Sequence, residues 1–148
     1  MFSYFIENFK NLFKYFFEDK NFYYLSLMKH DTPIKFNIHG IWPQYDNNTY
    51  PKYCKKVEFD IKLLEPLIDD LTKYWKPTNT RYNRLENFWK HEWKKHGSCC
   101  FTEISQFQYF QITLDLYKEL MEKNINLEKY LQGHHYLIPL TLDFKLNL

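Results

Sequence analysis

Residues 88–100 read FWKHEWKKHGSCC, and the spacing predicts a helix from about Leu85 to His96. At about 100° per residue, Lys95, Glu92 and His96 fall roughly 40°, 100° and 140° from His91. Leu85, Phe88 and Cys99 project into the same sector, while Asn87, Lys90 and Lys94 lie on the far side. A merely solvated face would set its charges opposite its apolar residues. This helix instead aims two histidines, a glutamate and a lysine the way its core residues point. Such a cluster must pair, shift its pKa values or face a cleft.

What flanks this helix sets the fold class. Upstream, Asp60 can cap a helix reaching about Trp75, with Leu63, Leu64, Leu67, Ile68 and Leu71 as its core stripe and Pro66 kinking or splitting it. Downstream, Phe107, Phe110, Leu114, Tyr117 and Leu120 keep register in a helix from about Glu103 to Lys123. Strands lie outside these helices. Phe22–Leu27 is short and aromatic, and Ile34, Phe36 and Ile38 alternate with Lys35, Asn37 and His39. Near the end Leu140, Leu142, Phe144, Leu146 and Leu148 alternate with Thr141, Asp143, Lys145 and Asn147, predicting a last strand. Strands on both sides of clustered helices predict an α+β domain over residues 22–148. Residues 1–21 are set apart as an amphipathic helix carrying Phe2, Phe5, Ile6, Phe9, Leu12, Phe13, Phe16 and Phe17. Its acids and bases balance, so it suits docking on the domain or on a partner better than a membrane surface.

The 148 residues are 45% hydrophobic and 26% charged, which excludes disorder, and 21% are aromatic. The net charge of +2 excludes a general polycation, so affinity for a polyanion must be local. Lys73, Lys76, Arg81, Arg84, Lys90, Lys94 and Lys95 against Glu86 and Glu92 form such an excess. No apolar run is long enough to span a bilayer, and Glu7, Lys10, Lys14, Glu18 and Asp19 interrupt anything like a secretory signal. Cys54, Cys99 and Cys100 allow one bridge and one free thiol within the chain.

Histidine pairs suit reactions that move one proton on and another off near neutral pH. His39, at the end of its strand in FNIHGIWPQ (residues 36–44), is the partner for the helical cluster. Gly40 lets the backbone bend after the imidazole, and Pro43 holds Trp42. Two other readings of the helix stand beside this one. Its histidines could be incidental to a charged surface, or they could bind zinc. His91 and His96 are five apart, however, where the helical metalloprotease motif needs four.

HGIWP and FWKHEWKKHGSC resemble the two active-site segments of the ribonuclease T2 family, and a looser similarity spans roughly residues 22–132, including YPKYC and QYFQITLDLYKEL. The resemblance implies an antiparallel sheet packed with helices and an endoribonuclease of low base specificity acting through a 2′,3′-cyclic phosphate. It implies His96 as general base, His39 as general acid, Lys95 with Glu92 stabilising the transition state, and His91 holding the phosphate. Trp42 would stack on a base, with Gln44 as a further substrate contact. Single-stranded RNA is the implied partner and DNA is not; no metal or other cofactor is implied. The family's bridge between its two segments corresponds to Cys54 with Cys99, leaving Cys100 over. The family is largely secreted, vacuolar or lysosomal. Against it, this chain reads as C-terminally shortened and without an export signal, and its oligomeric state is left open. The alternative functions are a catalytically silent relative that binds RNA or a protein, and an aromatic-rich interaction protein acting through its N-terminal helix.

Overall fold

Strands open and close the described chain, with helices between them. The computed structural model describes residues 20–31, 33–78 and 81–148; the helix expected over residues 1–21 falls outside them apart from its last two positions. Strands β1 (Phe22–Lys29), β2 (Phe36–Gln44), β3 (Leu131–Gln132) and β4 (His135–Leu140) form one antiparallel sheet in the order β2-β1-β4-β3. The helices are α1 (Ile68–Tyr74), α2 (Leu85–Lys95) and α3 (Gln106–Glu122). This is the α+β architecture that the sequence predicts. Among the described residues no helix is long and apolar enough to cross a membrane.

Alternate residues of β1, β2 and β4 bury one face. Tyr23, Leu25, Leu27, Ile38, Ile41, Tyr136, Ile138 and Leu140 are all at most 3% exposed. Phe110, Leu114 and Tyr117 of α3 and Trp89 of α2 belong to the same apolar cluster. The opposite face carries Phe22, Tyr24, Trp42, Gln44, His135 and Leu137 and floors a cleft.

The outer strand β2 has its backbone covered by side chains from the helical half. Tyr117 Oη donates to Phe36 O (2.8 Å), Trp75 Nε1 to His39 O (2.8 Å), and Tyr109 Oη to Ile41 O (3.0 Å) while accepting from Ile41 N (3.3 Å). Large rings with a polar tip thus satisfy an edge that would otherwise stay unpaired.

Three expectations are corrected. The Asp60-capped segment is a 3₁₀ turn over Ile61–Leu67 that passes into α1, with Pro66 inside the tighter part. At three residues per turn Leu64 and Leu67 align inward, whereas Leu63 is 54% exposed. Helix α3 begins at Gln106 rather than Glu103, because Ser105 and Gln108 form a reciprocal capping box. The last strand is His135–Leu140, ahead of the alternating stretch, which turns back on itself instead. Thr141 N donates to Lys145 O (2.9 Å), Lys145 N donates to the Thr141 hydroxyl (3.2 Å), and Phe144 has φ 57°. Only a single bridge, Leu140 to Leu146, keeps a β contact. Local side-chain bonds have displaced the ladder there, while Phe144 still stacks on Tyr23 with ring centroids 4.5 Å apart.

Candidate active site

The register of β2 against β1 slips at one point: Ser26 faces Gly40, but Leu27 faces Ile38. His39 is the residue left over, a β-bulge. An extra residue of this kind bends a strand and re-aims a side chain. It also explains why Ile38 and Ile41, three apart, both reach the core. Trp75 fixes the bulged carbonyl from behind, and the His39 ring turns into the cleft, where its Nδ1 lies 3.1 Å from Met28 Sδ.

Helix α2 supplies the other wall. It ends at Lys95, and His96 is its C-cap, followed by a 3₁₀ turn over Gly97–Cys99. The end of the helix is tied to the loop after β2. Tyr53 N donates to Lys95 O (2.9 Å), Cys54 N donates to Ser98 Oγ (3.1 Å), and a disulfide joins Cys54 to Cys99. Cys100 is the free thiol, and burial pushes its pKa up to about 12.

The two walls meet at Glu92, whose side chain is 1% exposed. Its Oε1 lies 3.1 Å from His39 Nε2, and its Oε2 lies 3.8 Å from His96 Nε2 and accepts from Trp42 Nε1 at 3.1 Å. Burial alone would raise the carboxyl's pKa. His39, His96 and the indole N–H together outweigh it and hold the group below its ordinary range. Gly40 lets the carboxylate come this close, since a Cβ there would stand 2.5 Å from Glu92 Oε2. The other three tryptophans that donate do so to backbone carbonyls, namely Trp75 to His39, Trp89 to Trp75 and Trp93 to Glu58. Trp42 alone spends its N–H on a carboxylate.

His96 lies flat against Trp42, with centroids 5.1 Å apart and planes 23° apart, and is 3% exposed. Burial lowers its pKa to about 4, the pull of Glu92 opposing and Lys95 assisting, so the ring is neutral at physiological pH. His91 sits half-buried between Tyr53 and Tyr82, and burial lowers its pKa too. The cleft has a volume of about 1030 Å³, and all the expected site residues line it: His39, Trp42, Gln44, His91, Glu92, Lys95 and His96. Among the described residues its charged and titratable lining also includes Lys29, Arg81, His134 and His135, and Glu92 is its one carboxylate. No group of three or more His, Cys, Asp or Glu among the described residues is arranged to hold a metal ion.

The sequence matches the ribonuclease T2 family over residues 10–140. The chain belongs to the ribonuclease T2 family. It is 40% identical over 82 residues to "Ribonuclease 1" of Arabidopsis thaliana, covering 55% of this chain and 36% of that protein. It is 30% identical over 122 residues to "Ribonuclease Oy" of Magallana gigas, covering 79% and 54%. The chain therefore spans about a third to a half of these curated relatives. Its fold is similar to that of RNase NT in complex with 5′-AMP, with a TM-score of 0.62 and 21% identity over 86% of this chain and 89% of that one.

In this T2-family chain the two segments that carry the resemblance form the opposing walls of one cleft. Two of its cleft residues were not legible as such. Tyr82, whose ring lies 5.9 Å from that of His91, falls in a stretch to which the sequence assigned no element. His135 belongs to the strand whose start the sequence misplaced, and its only signal was the doublet His134-His135 after Gly133.

Proposed function

We propose that this chain is an endoribonuclease that cuts single-stranded RNA with little base preference, through a 2′,3′-cyclic phosphate. The observation that supports this most is the meeting of His39, Glu92 and His96 on the floor of a cationic cleft. His96, neutral and beside a carboxylate, accepts the proton of the ribose 2′-hydroxyl. The O2′–P bond forms, the P–O5′ bond breaks, and His39 gives its proton to the departing O5′. Glu92 lies between the rings and stabilises whichever of them holds the proton. In a second stage water adds to the cyclic phosphate, its proton passing to His39 while His96 returns one to O2′, leaving a 3′-phosphate. Lys95 offsets the charge growing on the phosphoryl oxygens, a preorganised charge typically worth ~3 kcal/mol, and His91 holds the phosphate. Trp42 keeps Glu92 in place through its N–H and offers its ring to a base, with Gln44 alongside.

The burial of His96 under Trp42 favours one other reading, a family member that binds RNA without cutting it. A gel assay on single-stranded RNA in EDTA separates the two. We expect cleavage to cyclic-phosphate ends, none on DNA of the same sequence, and a loss of about a hundredfold or more in His39→Ala and in His96→Ala. RNA retained but never cut would support the silent reading, and near-full turnover in either variant would refute the proton roles.

A further inference from the structure

Resting on the ribonuclease reading of the cleft, we propose that His135 is a substrate-binding residue, which holds the phosphate one nucleotide beyond the leaving O5′. His135 opens β4 directly after a two-residue turn, Gly133-His134, in which Gly133 takes φ +63°. That turn lifts the imidazole onto the open face of the sheet, and its ring stands 5.0 Å from His39 and 5.0 Å from Trp42. Its Nε2 is buried and has no hydrogen-bond partner in the protein. Most buried side-chain nitrogens find a partner; His30 Nε2 and His96 Nδ1 also lack one, but His30 does not line the cleft, whereas His135 does.

The chemistry of the surroundings selects an anion. Lys29, His39 and His134 line the same cleft. Of the nearby carboxylates, Glu92 is committed to His39, His96 and Trp42, and Glu128 to Lys29 (4.0 Å) and the Tyr136 hydroxyl (3.2 Å). Burial and the neighbouring His39 lower the pKa of His135, so the free ring is predominantly neutral and offers an N–H or gains a proton as the anion arrives.

Its contact with the His39 ring selects which phosphate. His96 comes from α2, His39 from β2, and His135 from β4, on the far side of β1. In-line displacement puts the attacking oxygen and its base at one end and the leaving oxygen at the acid. The nucleoside that departs from His39 therefore extends toward His135, bringing its own 3′-phosphate there.

The test compares two substrates, UpA and UpAp, which differ only in that terminal phosphate. We expect the intact chain to prefer UpAp about tenfold in kcat/KM, as befits one charge-assisted hydrogen bond. His135→Ala should abolish that preference, and His135→Arg should restore it. An equal loss on both substrates, or a preference that survives His135→Ala, would overturn the assignment. If the intact chain cuts neither, the ribonuclease reading fails by itself. Calorimetric titration with uncleavable 2′-deoxyuridine versions of both then decides: a tenfold gap in Kd that vanishes in His135→Ala supports the site, and a gap that is absent or persists refutes it.

Discussion

Replacing Gly40 by alanine tests how tightly the site is built. The new methyl would stand 2.5 Å from Glu92 Oε2, 3.2 Å from Tyr109 Oη and 3.3 Å from Trp42 Nε1. Ordinary contact begins near ~3.5 Å, so the carboxylate must retreat by about 1 Å. It has little room, being fully buried and wedged between two imidazoles and an indole. Overpacking typically costs ~1–3 kcal/mol, and a weakened hydrogen bond to a charged group adds about 1.5 kcal/mol or more. We expect Gly40→Ala to lose roughly 2–4 kcal/mol in urea denaturation and about a hundredfold in turnover, since a misplacement of ~1 Å can cost that much. Glu92→Asp draws the carboxylate back by one methylene. In that background the same Gly40→Ala change should cost under about 1 kcal/mol, a coupling that a double-mutant cycle reads directly. Equal losses in both backgrounds would show that the clash with Glu92 is not the cause.

Two other outcomes follow from the same geometry. The His96 pKa falls from 6.5 unfolded to about 4 folded, so the unfolded chain binds the proton first as pH drops; stability is complete above pH 6.5 and declines down to about 4. The linked loss is roughly 3 kcal/mol, with the lowered Glu92 acting in the same direction at more acid pH. Thermal melts between pH 7 and pH 4 should show this slope and His96→Gln should flatten it; an identical slope in both proteins would contradict the assignment. Removing the disulfide with Cys54→Ala and Cys99→Ala opens a loop of sequence separation 45, worth about 4 kcal/mol on the chain-entropy model. A urea midpoint unchanged in that double variant would refute the stabilising role of the bridge.

Element types were legible wherever periodicity was strong, as in α2 and α3, and the crowded sector of α2 announced a wall of the cleft. Precise geometry was not. The bulge at His39 arises from pairing with a strand more than ten residues away, and period-two reading of β2 alone cannot see it. Leu63 was misassigned because the 3₁₀ turn changes the angular step, and nothing local but Pro66 hints at that. Alternation after Leu140 was genuine, yet Thr141, Asp143 and Lys145 bond among themselves and fold the segment back. Glu92 as the hub, and Trp42 as its donor, needed both walls in place before either could be read.

The strand order has a temporal side. β1 is synthesised before the other strands yet lies inside the sheet, paired with early β2 on one edge and with late β4 on the other, Tyr23 meeting Leu140. A nascent chain can close the β1–β2 hairpin within moments, but the remaining edge of β1 must wait for β4, more than a hundred residues later, to leave the ribosome. Contacts this distant make folding slow and leave a sticky ribbon of backbone open meanwhile. β4 is thus both the lock on the far edge of β1 and the bearer of His135, so a ribosome that stalls before it releases a chain lacking both.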